Sequence, residues 1–414
     1  MRTHRIVAGL VAAVVAAACG TASDPNLAAG GPSGPTAQRS SPVDIATPRP
    51  DVSAPNSAAP VVMTDPPTSS STFATTTTTP PRTVTIAFTG DTLAHSPLWR
   101  QAQRNAGGSG FDFTPMFDDI APVIERADLA ICHLETPIAP SDEPFSTDPL
   151  YGVPPEIVSA MAEAGFDRCS TASNHALDRY GRGIDRTIEV LEANGLGQSG
   201  MARDPAEARP STFSVEGVSI SHLSYTYATN GIPTPPGEPW RTNYIDAGRI
   251  IDDARAARGL GAEVVVVSMH WGTEKVTEPN DQQRTVAAAI TASGEVDLVV
   301  GHHAHVLQPI EQVNGKWVAY GLSNVLSNLP VNDAWPAASQ DAAVVEFAIA
   351  VDHAGHVTIG TPVVTPTWVD KNNGWVIRDV RAALADPASS DGRRADLERS
   401  LERTMAVVGG FVTR

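Results

Sequence analysis

Imidazoles and carboxylates stand at the ends of apolar runs in this chain, and their placement suggests metal chemistry. Val264-Val265-Val266-Val267 leads into Ser268-Met269-His270-Trp271-Gly272-Thr273-Glu274, and Val296 to Val300 leads into Gly301-His302-His303-Ala304-His305. Neutral imidazole suits zinc, manganese, iron and similar ions. Upstream, Thr83 to Thr89 ends in Gly90-Asp91, and the run starting at Asp128 ends in Glu135. Arg168 to Ala172 ends in Ser173-Asn174-His175-Ala176-Leu177-Asp178. A dinuclear site needs oxygen and nitrogen ligands, a bridging carboxylate and a neighbouring acid for the leaving group. Asp91, Glu135, Asn174-His175, His270 and His303-Ala304-His305 offer a candidate for each part. Taken singly, His95, His133 and His222 read as ordinary surface or core histidines. Glu274 is placed to fix the His270 ring or to contact substrate, with a solvated loop carboxylate as the alternative. Tyr225 and Tyr227 read first as packing aromatics, with pocket lining as the alternative.

These residues need a scaffold that brings strand ends to one rim. Unbroken β-branched runs fit strands covered on both faces of a parallel sheet. Helices are predicted over Pro155 to Ala164, Ile184 to Ala193 and Asp281 to Ala292, alternating with the strands. That alternation points to a doubly wound α/β sheet, in which ligands bind outside the carboxyl ends of strands. Phe213 to Leu223 reads as a β-hairpin turning at Glu216-Gly217, and Tyr225 to Trp240 as a long loop forming a lid or rim. Lys316 to Gly321, Ala342 to Ala350 and His356 to Val364 read as further strands in a mixed or antiparallel setting. Asp396 to Val408 reads as a terminal helix.

The ends of the chain carry other signals. Arg2 and Arg5 precede an apolar run, Ile6 to Ala18, which is too short to span a membrane as a helix. The run stops at Ala16-Ala17-Ala18-Cys19-Gly20, similar to a bacterial lipobox, so residues 1–19 are expected to be a lipoprotein signal with Cys19 lipidated. Residues 20–82, rich in Ala, Pro, Ser and Thr, are expected to be a disordered tether. The folded domain is expected over 83–370, with a helical extension over 371–414. The expected location is therefore the outer face of the bacterial cytoplasmic membrane, held there by the lipid. Cys132 and Cys169 fall in core strands, where a free cysteine behaves as a small hydrophobe. They are expected as two buried thiols, although export would permit a disulfide. Asp and Glu outnumber Lys and Arg by 46 to 29, for a formal charge of −17. Such a balance argues against a nucleic-acid backbone as partner, but not against a small anion held by metal.

The motifs in order resemble the CapA family (capsule and poly-γ-glutamate synthesis) within the calcineurin-like metallophosphoesterases. They are Phe88-Thr89-Gly90-Asp91, His133-Leu134-Glu135-Thr136-Pro137, Ser173-Asn174-His175-Ala176-Leu177-Asp178, Tyr225-Thr226-Tyr227-Ala228-Thr229-Asn230-Gly231, His270-Trp271-Gly272-Thr273-Glu274, Gly301-His302-His303-Ala304-His305-Val306-Leu307-Gln308-Pro309-Ile310-Glu311 and Tyr320-Gly321-Leu322-Ser323-Asn324. The similarity runs from about Thr83 to Phe347. It implies a four-layer α/β/β/α sandwich. It also implies metal ligands at Asp91, Glu135, Asn174, His270, His303 and His305, with His175 as general acid and Asp178 beside it. Glu274, His302, Tyr227 and Asn230 are the implied substrate contacts. One or two divalent ions are implied, with Mn, Zn or Fe the candidates. Three departures bear on the site. Asp91-Thr92-Leu93 lacks the Asp-x-His second ligand unless His95 reaches back, Glu135 stands where an Asp usually bridges, and His302 is an alternative to His303. Two functions follow from the resemblance. One is a metal-dependent hydrolase acting on a phosphoester or amide of an extracytoplasmic polymer or precursor. The other is a non-catalytic accessory subunit that binds an anionic polymer such as poly-γ-glutamate in a synthesis complex.

Overall fold

A computed structural model describes residues 80–412 of the 414-residue chain. The signal segment, Cys19 and nearly all of the expected tether lie outside the described residues. The first half gives β1 (Arg82–Thr92), α1 (Ser96–Asn105), α2 (Thr114–Phe117), α3 (Ala121–Ile124), β2 (Leu129–Leu134), α4 (Glu156–Glu163), β3 (Arg168–Ser170), α5 (Tyr180–Ala193) and β4 (Gly197–Ser199). Then come β5 (Phe213–Val215), β6 (Val218–Thr226), α6 (Ala247–Gly259), β7 (Val264–His270), α7 (Asp281–Ala292), β8 (Leu298–His302), β9 (Ile310–Val313), β10 (Lys316–Ala319) and β11 (Asn324–Leu326). The chain closes with β12 (Asp341–Val351), β13 (Val357–Ile359), β14 (Val363–Asp370), β15 (Val376–Asp379), α8 (Val380–Ala385) and α9 (Asp391–Val408).

The strands form two sheets. One runs β15-β14-β12-β1-β2-β3-β4, with β11 also paired to β1 and β13 to β12; the other runs β5-β6-β7-β8-β10-β9. The strands that matter for the site, β1-β2-β3 and β6-β7-β8, pair in parallel, so their carboxyl ends share a rim.

Side-chain parity explains the layering. Leu129 and Ile131 of β2 and Val264 and Val266 of β7 face one shared core between the sheets. Ala130 and Cys132 face helices α1, α2 and α4, while Val265, Val267 and Met269 face α6 and α7. The result is helix, sheet, sheet, helix: the four-layer α/β/β/α sandwich that the resemblance implies, and not the single doubly wound sheet that the strand–helix alternation suggested, because each sheet has helices on one face and the other sheet on the other. A fully buried Val, Ile or Leu contributes roughly 1.5–3 kcal/mol. A one-residue slip would turn every such side chain to the wrong core. The apolar run therefore sets which way the polar residues at its end point.

Several expectations change. Cys132 and Cys169 are bonded, with Cα atoms 4.4 Å apart, so the expectation of two free thiols was wrong. Parallel pairing places the two residues directly opposite each other on β2 and β3, with both side chains on the helix-facing side. The predicted strand His356 to Val364 is two strands, β13 and β14, interrupted around Gly360 to Pro362. Residues 371–412 hold α8 and α9 and also β15, which pairs with β14 at the edge of the first sheet. Among the described residues no helix is long and apolar enough to cross a membrane.

Candidate metal centre

Two glycines bring the first ligands together. A Cβ on Gly90 would lie 2.3 Å from the Ser323 carbonyl oxygen, and one on Gly301 would lie 1.8 Å from that of Tyr320. Neither site admits a side chain, so Asp91 is drawn against the 322–324 turn and β8 against the chain following β10. The same strand parity that faces Leu129 and Ile131 inward turns His133 and Glu135 inward. In β7 and β8 it does so for Ser268, His270 and His302.

Glu135 lies at the centre of the arrangement. It is fully buried, and neither carboxylate oxygen has a hydrogen-bond partner among the described residues. On one side, Asp91, Glu135 and His305 offer ligand atoms all within 4.8 Å of one another. On the other, Glu135, His270 and His303 do the same, and the Asn174 Oδ1 lies 2.9 Å from His270 Nε2. His303 Nδ1 is likewise buried without a partner. Leaving an ionised carboxylate unpaired in a protein interior costs several kcal/mol. The Glu135 carboxyl is accordingly held well above its usual range by burial, against the attraction of His305. Two donor groups sharing one bare carboxylate fit a pair of divalent ions with Glu135 between them, or a single ion at either position. Nitrogen and oxygen donors in this mixture suit zinc, manganese or iron.

The surrounding charges agree. Burial would raise the Asp91 carboxyl, but hydrogen bonds from His302 and His305 outweigh it and hold it well below the usual value. His303 is pushed down to about 3, chiefly by burial, and the His133 and His270 rings are also lowered by burial. All three are therefore neutral near pH 7, the state that ligation requires. His305 is the exception. Burial pulls it down, yet the carboxylates of Glu135 and Asp91 win and raise it to about 9.

The expected acid sits beside this cluster. His175 Nδ1 lies 2.7 Å from Asp178 Oδ2, which also accepts the Tyr151 backbone N–H at 2.7 Å. The carboxylate holds the proton on Nδ1 and leaves Nε2 as the ring's working atom. The Tyr151 ring packs edge-on against His175, with ring centroids 4.7 Å apart.

The remaining expected residues divide. Glu274 forms a ligand group with His303 and His305 and is partly exposed. Tyr227 lies over His303, with ring centroids 4.5 Å apart and 37% of its surface exposed. Asn230 accepts from the Asn174 amide at 3.3 Å. His302, placed among the substrate contacts by resemblance, is buried instead, with Nδ1 3.1 Å from Asp91 Oδ1. His303 is the one that joins Glu135 and His270. His95 does not reach back to ligate. Its Nε2 faces the Tyr151 hydroxyl at 3.0 Å and its Nδ1 the Leu93 carbonyl at 3.0 Å. Tyr225 is a core aromatic whose hydroxyl donates to Asp253 at 2.8 Å, and His222 pairs with Ser268 at 2.9 Å.

Sequence reasoning missed His133. It is fully buried, its Nε2 lies 2.9 Å from His270 Nδ1, and its ring stacks 4.0 Å from that of His302. The signal was present, since residues two apart on a strand share a face and His133 precedes Glu135 by two. Trp335, near His305 and under the Lys275 ammonium at 4.5 Å, was also missed. It comes from an irregular loop with no pattern to read.

The chain is 27% identical over 299 residues to the PGA biosynthesis protein CapA of Bacillus subtilis (strain 168), covering 70% of this chain and 75% of that protein. It is 25% identical over 273 residues to the capsule biosynthesis protein CapA of Bacillus anthracis, covering 64% and 63% of the two chains. Among solved structures it aligns with the calcineurin-like phosphoesterase YfkN from Bacillus subtilis at 12% identity and a TM-score of 0.43, covering 79% of this chain and 99% of that one. Residues 85–329 match the family model described as bacterial capsule synthesis protein PGA_cap, and on that match the chain belongs to this family.

Proposed function

We propose that this protein is a metal-dependent hydrolase of the cell envelope, acting on a phosphoester or amide bond of an extracytoplasmic polymer or its precursor. The observation that carries the reading is Glu135, a buried carboxyl group with no hydrogen bond at either oxygen among the described residues, set between two groups of nitrogen and oxygen donors. Divalent ions held there would polarise the scissile group and lower the pKa of a water. Asp91 and His305 would hold one ion and Asn174, His270 and His303 the other, with Glu135 common to both. The chain's own work is positioning. The hydrogen bond from His302 and the His303 backbone N–H fix both Asp91 oxygens, at 3.1 and 3.0 Å. Asp178 orients His175 to deliver a proton to the leaving atom and stabilises the ring while it carries that proton. Tyr227, Asn230 and Glu274 would meet the substrate at the opening.

An envelope location is supported by the Cys132–Cys169 disulfide, since such bonds persist in oxidising compartments. The names of the Bacillus relatives favour a second reading, in which the same rim binds an anionic polymer during its synthesis without cutting it. One experiment separates the two. The purified domain is loaded with manganese or zinc, then screened on phosphomonoesters, phosphodiesters and γ-linked glutamyl amides. Turnover lost in both His270→Ala and His303→Ala, together with bound metal, supports the hydrolase. Bound metal with no turnover, alongside tight binding of poly-γ-glutamate, would replace it with the accessory role.

A further inference from the structure

His133 has no part in the chemistry described so far, yet it is fully buried against a candidate metal ligand. We infer that His133 is a positioning residue, which sets the tautomer of His270 so that His270 Nε2 presents a lone pair to the metal. The inference rests on the metal reading above.

The direction of each hydrogen bond follows from the far end of a short chain. The Ser170 hydroxyl donates to the Cys132 carbonyl oxygen at 3.2 Å. Ser170 Oγ is then the acceptor for His133 Nδ1 at 2.8 Å, which places a proton on Nδ1. A neutral imidazole carries one proton, so His133 Nε2 is a bare acceptor. It lies 2.9 Å from His270 Nδ1, which must therefore be the protonated nitrogen. His270 Nε2 is left bare, 2.9 Å from Asn174 Oδ1 and 3.8 Å from Glu135 Oε1. Three electron-rich atoms facing one another repel unless a cation lies among them. The chain thus prepares the side of His270 that faces the shared carboxylate.

Direct ligation by His133 is the rival, since its ring groups with Asp91 and His270. Both its nitrogens are already engaged at hydrogen-bonding distance, however, and ligation would break the bond to His270. The disulfide between Cys132 and Cys169 joins the residues immediately before His133 and Ser170, which holds the two strands of the chain in register.

The test measures zinc and manganese binding, in affinity and stoichiometry, for the wild type and for His133→Phe, His133→Gln and Ser170→Ala. Phenylalanine keeps a ring stacked on His302 but cannot accept a hydrogen bond, whereas the glutamine amide oxygen can. We expect His133→Phe to bind roughly 10–100-fold more weakly at unchanged stoichiometry, the usual effect of losing such a support. His133→Gln should recover most of that loss. Ser170→Ala keeps the ring itself, tests the anchor if the phenylalanine variant fails to fold, and should also weaken binding. Long-range proton–nitrogen NMR of zinc-loaded wild type should show His270 protonated at Nδ1. Equal affinity in His133→Phe and Ser170→Ala, no rescue by glutamine, or loss of a whole metal equivalent would each overturn the inference. A wild type that binds neither ion would instead remove the metal site itself, and the inference with it.

Discussion

His175 divides the two readings of this protein more sharply than any other residue, because it can face a substrate without holding an ion. A positioned imidazole acting as general acid contributes about 10²–10⁴-fold in rate. His175→Ala should lose that factor on whichever ester or amide is turned over, with bound metal unchanged by elemental analysis. Equal turnover would remove His175 from catalysis. The pH dependence of metal loading has a definite sign. His305 keeps its proton up to about 9 and the Glu135 carboxyl is raised well above its usual range. The charge that raises His305 is that of ionised Glu135 and Asp91, so His305 and Glu135 hold one proton between them and must release it before both can ligate, and affinity should rise with pH towards about 9, at most tenfold per pH unit. Calorimetry in buffers of different ionisation enthalpy would report the released proton, and affinity that falls over this range would contradict the assignment. Asp91, Glu135, Asn174, His270, His303 and His305 were legible because each closes or follows an apolar run. His133 was passed over although it shares a strand face with Glu135, because taken alone a histidine inside a strand looks like core.

At the scale of elements, periodicity carried furthest where segments are long. Asp281–Ala292 is the helix the sequence predicts, and Asn280 caps it through a reciprocal pair with Gln283. Losing such a cap costs about 1 kcal/mol, a modest effect beside the buried Ala287 and Ile290. The three-residue strands β4 and β11 carry neither an apolar run nor a hairpin turn to announce them, whereas β9 was overlooked despite the Asn314-Gly315 turn that pairs it with β10. The disulfide was illegible for a different reason. Its two cysteines meet only because β2 and β3 pair in parallel with one register, and nothing local to either run encodes that. The bond closes a 37-residue separation, for which the chain-entropy relation gives roughly 3–4 kcal/mol. A Cys132→Ala, Cys169→Ala double variant should therefore unfold at clearly lower urea, and reductant should lower the wild-type midpoint towards it. Coincident curves for wild type and variant would show that the bond adds no stability.

The whole molecule depends on its far end more than a trailing extension would suggest. Helix α9 buries Leu397 and Val408, Arg403 binds the buried Asp341, and Val412 pairs with Val364 of β14. Val408 and Val412 belong to the core between the sheets. Deleting residues 391–414 should uncover that core and leave Asp341 without its cation. Thermal denaturation should show a clearly lower midpoint, and an unchanged one would make the segment dispensable. The opposite end remains an expectation drawn from the sequence. If Cys19 carries a lipid, Cys19→Ala should move the protein from the membrane fraction to the soluble one, and mass spectrometry of the wild type should find the acyl chains. A wild type without acyl mass, with the variant still on membranes, would end that idea. The net charge of −17 adds a constraint. A polyanion approaching this surface is repelled on average, so productive contact depends on cations at the rim.

His303 and His305 both have left-handed backbone, with φ of +85° and +55°. For a residue other than glycine that conformation costs about 1 kcal/mol, and here it falls on two candidate ligands in one short loop. In metal-free buffer His303→Gly should therefore melt higher than His303→Ala, even though both have lost the imidazole. Heat alone, used to select variants, would then favour glycine at these two candidate ligand positions. A stabilisation campaign on this protein would drift towards a sturdier and emptier molecule unless metal retention were scored in every round.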